Sequence, residues 1–289
     1  MTICKTKNIN YFYQEKSLNL NNLPSELHIS TMTITFNLAT TFNVLNIGKY
    51  IDLSFGNILC VKYGPSGSNL IRSLIKYKLS KKKTKKKKKN FYNQASLVLG
   101  INNGKMINIK LFKNGAVQMT GCKNIQHFVD SLEKLFSFLL KEKAVYDTTE
   151  KKIVDKPFVS HPQNIALSKI SDFKIRMINS NFHIGFLINR EILYNILSED
   201  THVTCTYEPC IHACVNIKYN YQNKDTISIF VFESGSIIIT GAKKKEHIIE
   251  SYNYIIKKIY ENYAMILKNN IEIYLENPEI KKSLFDIEI

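Results

Sequence analysis

Apolar and polar residues alternate over positions 31–38, where Met32, Ile34, Phe36 and Leu38 interleave with Thr31, Thr33, Thr35 and Asn37. A period of two predicts a half-buried strand with one apolar and one Thr-rich face. Residues 44–53 suit a short helix. Strands are predicted again over 94–101, through Phe112 and through Thr120, with a turn at 102–105. The period then changes: Ile125, Phe128, Val129, Leu132, Leu135, Phe136, Leu139 and Leu140 fall at helical spacing, on one face of a long amphipathic helix. Residues 144–168 are polar, contain Pro157 and Pro162, and read as a linker. After them the order returns: a strand from Asp172, a short helix at 188–197, a strand at 212–219 and a turn at 220–225. Strands through Phe232 and Thr240 and a long helix to about residue 267 complete it.

The return extends to identities. Phe112, Gly115, Thr120, Gly121 and Lys123 recur 120 positions on as Phe232, Gly235, Thr240, Gly241 and Lys243, in a Phe-x-x-Gly-x4-Thr-Gly-x-Lys signature. His127 and His247 coincide, and Ile248, Ile249, Tyr252, Ile255, Ile256, Ile259 and Tyr260 keep the helical face in register. Turn chemistry, strand end and helical face held together in this way establish an internal duplication. The first strands, matched at Thr31 and Met177, lie 146 positions apart, so the first half carries 26 extra residues. They are expected as an insertion over 58–90. The layout that follows is an arm (1–26), a first repeat (27–143), the linker, a second repeat (169–267) and a tail (268–289).

Composition sharpens this picture in two ways. The formal net charge of +16 favours a polyanionic partner, nucleic acid first, because neutralising phosphates releases condensed counterions. Eight of those charges sit in the lysine run at 81–89, where mutual repulsion predicts a solvated loop, and +8 remains elsewhere. The run itself suits nonspecific DNA binding or a nuclear-localisation-like patch. The hydrophobic share of 44% suffices for a packed core, and no apolar run approaches the roughly 18 residues needed to span a bilayer. Six cysteines without disulfide-framework spacing read as reduced thiols inside a cell. Cys205, Cys210 and Cys214, with His202 and His212, do not match the ligand spacing of common structural zinc sites. Neither a nucleophile with its base nor a phosphate-cradling glycine loop is present, so no catalysis, cofactor or metal is expected.

The doubled signature with its trailing helix resembles the core of the TATA-box-binding protein family. Asp172, Phe173, Lys174 and Ile175 resemble the start of that family's second repeat, and Tyr207, Glu208 and Pro209 the segment before that repeat's second strand. The resemblance covers roughly residues 27 to 266, and its departures resemble divergent relatives in large DNA viruses. It implies an α+β fold: a pseudo-symmetric saddle of two repeats, one curved antiparallel sheet with helices on the convex face. The free face of such a sheet is what grips DNA in the family.

The resemblance also assigns residues. Phe112 and Phe232 match wedge positions that push between base steps and kink the duplex, a mode for which TATA-box-binding proteins are a standard instance. Thr120 and Thr240 match groove-facing threonines, and Ile238 a groove-facing apolar residue replaced by Gln118 in the first repeat. Thr31, Thr33 and Met177 fall on the first strands where the family has central asparagines, and Asn179 is a nearby substitute. His212 falls at a second wedge position that is Phe in the family, with Phe91 or Tyr92 near the matching place in the first repeat. Ala116 and Ser236 stand where the family has a phosphate-binding lysine. Lys218 matches a phosphate-binding arginine, and Lys105 and Lys110 are further phosphate candidates. Glu208 lies in the segment the family uses to contact transcription factor IIB.

The implied function is a non-enzymatic transcription initiation factor that binds and bends AT-rich double-stranded promoter DNA through the minor groove. It would recruit a transcription factor IIB-like protein and RNA polymerase, in the nucleus or at a cytoplasmic viral transcription site. The alternative is a scaffold of the same fold that has lost its grip on DNA.

Overall fold

The computed structural model describes residues 20, 22–64, 70–75, 92–101 and 104–268. The lysine run at 81–89, Phe91, Asn102, the tail beyond residue 268 and most of the N-terminal arm lie outside the described residues. The chain divides into two compact units, the first built on Ile29–Ile178 and the second on Asn22–His28 with Asn179–Ile289.

In the first unit, β1 (His28–Asn37) buries Met32, Ile34 and Phe36 and turns its threonines the other way. Helix α1 (Val44–Tyr50) starts where the Asn43 Oδ1 accepts the Asn46 N–H at 3.0 Å. It stops under Arg72, whose guanidinium donates to the Gly48 and Ile51 carbonyls at 3.0 and 3.1 Å. There follow β2 (Ile58–Tyr63), β3 (Leu70–Ser73), β4 (Gln94–Gly100), β5 (Met106–Phe112), β6 (Ala116–Cys122) and helix α2 (Ile125–Leu139). A separate hairpin pairs β7 (Ala144–Asp147) with β8 (Lys152–Asp155), and the first part of β9 (Ser171–His183) also belongs to this unit. Its sheet order is β9–β1–β6–β5–β4–β2–β3.

The second unit takes the rest of β9, then α3 (Arg190–Ser198), β10 (Val203–Thr206), β11 (Cys214–Tyr221), β12 (Asp225–Phe232), β13 (Ser236–Ala242), α4 (Lys245–Glu261) and α5 (Tyr263–Ile266). Its sheet order is β10–β11–β12–β13–β9. Both units are α+β, with antiparallel strand pairs and a long helix covering one sheet face.

Alternation decides which face the helices cover. Ile107, Ile109, Leu111, Val117 and Met119 are buried against Phe128, Val129, Leu132 and Leu135 of α2. Each such side chain contributes roughly 1.5–3 kcal/mol on burial. Phe128 packs edge to face on Phe36 and Phe173, with ring centroids 5.7 and 5.3 Å away. In the second unit, Ile227, Ile229, Val231, Ile237 and Ile239 meet Ile248, Ile255 and Ile259 of α4 in the same way. The duplicated histidines serve as backbone acceptors: His127 Nδ1 takes the Lys123 N–H at 3.4 Å, and His247 Nδ1 takes that of Lys243 at 3.3 Å. Asp200, with only 8% of its side chain exposed, ties α4 to the loop before β10 through Lys258 at 2.8 Å and the Tyr254 hydroxyl at 3.0 Å.

The structure departs from the sequence expectations in three places. First, β2 is not inserted material. It pairs with β4 as β10 pairs with β11, so the extra residues of the first half follow Tyr63 and include the edge strand β3. Second, β10 is itself an unpredicted strand, and the strand predicted from His212 starts at Cys214. Third, the polar stretch at 144–168 is not featureless: it holds the β7–β8 hairpin, and Val159 bridges back to Phe42. Among the described residues, no helix is long and apolar enough to cross a membrane.

Candidate nucleic-acid interface

Among the described residues, no helix covers the second sheet face of either unit, and strand pairing fixes what that face displays. In the first unit, Thr33 stands opposite Thr120 and Thr35 opposite Gln118. Thr120 in turn faces Asn108, Gln118 faces Lys110, and Phe112 faces Gln94. These residues are half-buried or exposed, while Ile34, Ile109, Leu111, Val117 and Met119, which alternate with them, are core. In the second unit, Thr240 faces Ser228, Ile238 faces Phe230, Phe230 faces Asn216, and Phe232 faces Cys214. Thr120, Gln118 and Phe112 thus share one face, and Thr240, Ile238 and Phe232 share the corresponding face of the other unit.

The two phenylalanines are held at strand ends by the same backbone device. Gly115 and Gly235 adopt φ +88° and +82°, in the left-handed region that favours glycine. Each donates its N–H to the Phe112 or Phe232 carbonyl at 3.0 Å, and each accepts from the strand exit of its own unit, Leu38 at 3.0 Å or Ile184 at 3.1 Å. In the second unit Arg190 adds a brace, donating to Glu233 at 2.7 Å and to the Ala213 carbonyl at 2.8 Å. The turn after Phe232 is thereby joined to the loop before β11. Hydrogen bonding from Lys268, with Arg190 beside it, holds the Glu233 carboxyl below its usual range against the opposing effect of burial.

The polar groups of the faces are partly engaged. Thr240 donates to Asn179 Oδ1 at 2.6 Å, so the substitute asparagine touches the duplicated threonine. Thr33 and Thr120 hydroxyls lie 3.5 Å apart, and Arg176 Nε donates to Thr35 at 2.9 Å. Lys218 lies within the face, its ammonium donating to Ser228 at 2.6 Å, and Met177 is half-buried on β9.

Three assignments change. The Thr31 hydroxyl is buried, with no hydrogen-bond partner among the described residues, so it is not presented to a ligand. Lys105 immediately precedes β5, and its ammonium is buried with no hydrogen-bond partner among the described residues. Burial, with Lys123 nearby, lowers its pKa, which is the opposite of a phosphate-seeking surface lysine. His212 is not on a strand. It is an exposed loop residue whose N–H donates to the Glu208 carbonyl at 2.8 Å, and the Glu208 side chain is exposed beside it.

Strand pairing also supplies what the motif left open. Because Gln94 faces Phe112 as Cys214 faces Phe232, Tyr92 corresponds to His212, again 120 positions apart. Tyr92 is 74% exposed two residues before its strand. Ile211, 67% exposed, is a further apolar side chain at the His212 loop that the sequence reading missed. Its signal is an apolar residue two positions after Pro209. Among the described residues, no three His, Cys, Asp or Glu side chains gather as metal ligands; burial pushes the Cys205 thiol up to about 11.

Comparison with known proteins bears on this arrangement. Residues 172–262 match the family described as transcription factor TFIID (or TATA-binding protein, TBP). A TATA-box-binding protein-like protein of Acanthamoeba polyphaga mimivirus is 37% identical over 286 residues, which cover 94% of this chain and 74% of that protein. The TATA-box-binding protein of Dictyostelium discoideum is 36% identical over 88 residues, 30% of this chain and 40% of that protein. The solved structure of Methanococcus jannaschii TBP aligns with a TM-score of 0.48 at 16% identity, over 82% of this chain and 99% of that one.

Proposed function

Since this chain belongs to the TATA-box-binding protein family, we propose that it is a non-enzymatic transcription initiation factor that binds AT-rich promoter DNA through the minor groove and bends it. The observation that carries the reading is the repetition of one helix-free face. Phe112 and Phe232 stand at glycine-closed strand ends, and Thr120 and Thr240 stand on the adjacent strand, in the same pairing register. An apolar ring held at the strand end beside a glycine-closed turn suits insertion between base steps. The cost of unstacking is offset by the surface the bent duplex then covers. The threonine hydroxyls can meet the acceptors that A·T pairs present in the minor groove.

Tyr92 and His212, exposed at matching positions, complete the wedge set with one aromatic ring and one imidazole. The exposed Glu208, at the braced loop that also carries Ile211, is the proposed contact for a transcription factor IIB-like protein, through which RNA polymerase is recruited. The 144–168 segment is proposed as the connection between the repeats.

Equilibrium binding to an AT-rich duplex and a GC-rich control across a salt series tests the reading. A preference for the AT-rich duplex that persists as salt lowers both affinities supports groove recognition. Equal affinities with one common salt slope reduce binding to phosphate neutralisation and leave the scaffold reading in its place.

A further inference from the structure

The helix-free faces of the two units differ most in chemistry at one cross-strand pair. In the second unit Phe230 of β12 stands opposite Ile238 of β13. At the corresponding place in the first unit, Lys110 of β5 stands opposite Gln118 of β6. The flanking positions keep their character: Thr120 matches Thr240 on one side, and Phe112 matches Phe232 on the other. All four residues of the two pairs are half-buried and alternate with core residues, so they share the face that carries the wedges. Neither the Lys110 nor the Gln118 side chain bonds to another described residue, so both keep their full capacity for a ligand.

That capacity distinguishes base pairs. In the minor groove A·T and T·A pairs offer only acceptors, whereas G·C adds the guanine N2 amino donor. Against an apolar pair such as Phe230 and Ile238, this amino group loses its water and finds no acceptor, a costly outcome in a closed interface. Gln118 can accept it through Oε1, and the Lys110 ammonium can donate to the ring-nitrogen and carbonyl acceptors beside it.

We propose, resting on the minor-groove reading above, that the Lys110–Gln118 pair makes the first unit's face tolerant of G·C base pairs, while the Phe230–Ile238 pair confines the second unit's face to A·T. The recognised DNA then has one half in which A·T is obligatory and one half in which it is not.

A symmetric all-A·T duplex tests this with the full-length protein. G·C pairs are introduced position by position, either in one half only or in both halves at mirrored positions. Wild type can orient its tolerant unit over a single substituted half, so one-sided substitution changes affinity by less than about threefold. Two-sided substitution weakens it by on the order of tenfold or more. In the Lys110→Phe/Gln118→Ile variant the one-sided substitution already produces the full loss. In the reciprocal Phe230→Lys/Ile238→Gln variant the two-sided substitution is tolerated. Circular dichroism of all three proteins confirms that the variants are folded, and either variant alone suffices if the other fails to fold. The inference is overturned if one-sided substitution weakens wild type as much as two-sided substitution does, while the all-A·T duplex is still preferred over an all-G·C one. If no protein distinguishes those two duplexes, the groove reading itself fails and takes the inference with it.

Discussion

Replacing Gly115 with alanine tests whether the wedge turns are as tightly built as the backbone suggests. Gly115 has φ +88°, and a Cβ there would run into the carbonyl oxygens of Leu38 and Thr40. Both are backbone atoms, and the same segment holds the turn through the Leu38 N–H bond to the Gly115 carbonyl. Relief therefore requires moving the exit of β1. Gly56 provides an internal control, because it has φ +77° but nothing within 4 Å of the Cβ it would gain. Gly56→Ala should cost the left-handed conformation alone, on the order of 1–2 kcal/mol. Gly115→Ala adds overpacking against backbone, on the order of 1–3 kcal/mol, and should total about 3 kcal/mol. Urea unfolding followed by circular dichroism gives the comparison through midpoints and slopes. Equal midpoints for the two variants would mean that the Leu38–Thr40 segment yields freely and that the turn is not tightly built.

Two further substitutions probe charges inside the units. Asp200→Ala should destabilise the second unit by about 2–4 kcal/mol, since Lys258 and Tyr254 lose a nearly buried acceptor. Burial raises the Asp200 pKa, but hydrogen bonds from Lys258, the His202 N–H and side chain, and Tyr254 outweigh it and hold the carboxyl well below its usual range. The wild-type advantage should thus be complete above the unfolded carboxylate pKa of about 4 and be lost as pH falls below it. Unfolding midpoints that decline in parallel for wild type and variant through this range would argue against the network. Lys105→Met should stabilise the first unit at neutral pH, since it removes a buried ammonium whose pKa is lowered by burial and by Lys123. Because the folded state binds that proton less tightly, wild type should recover stability toward alkaline pH, and the variant should not. DNA affinity should not change; a clear loss of affinity would restore Lys105 as a phosphate contact.

Much of this architecture was legible in the chain because the duplicated parts carry their own physical signals. A glycine that must take positive φ after Phe112 and Phe232, a strand of strict alternation and an apolar helical stripe each constrain a short window, and each occurs twice. The missed elements lack such signals. Val203–Thr206 is a four-residue strand with Cys205 between two threonines, and only its pairing with β11 makes it one. The buried run of β2 gives no alternation to align with β10, so the sequence alone points to inserted material there. The burial of the Lys105 ammonium depends on what the fold places over its turn, which no local pattern encodes. The match of Tyr92 to His212 is invisible as a motif, since the residues differ, and becomes evident once Gln94 and Cys214 are seen to pair with the two wedge phenylalanines. The Lys110–Gln118 pair is a similar case: Gln118 was visible as a departure, but its partner across the sheet was not.

In the proposed function, phenylalanines at glycine-closed strand ends kink AT-rich DNA. Energy transfer between dyes at the two ends of an AT-rich duplex, with wild type and with Phe112→Ala/Phe232→Ala, tests it most directly. Wild type should shorten the end-to-end distance, and the double variant, folded by circular dichroism, should leave the duplex extended and lose the preference for it over a GC-rich duplex. Unchanged bending and preference in the double variant would contradict it.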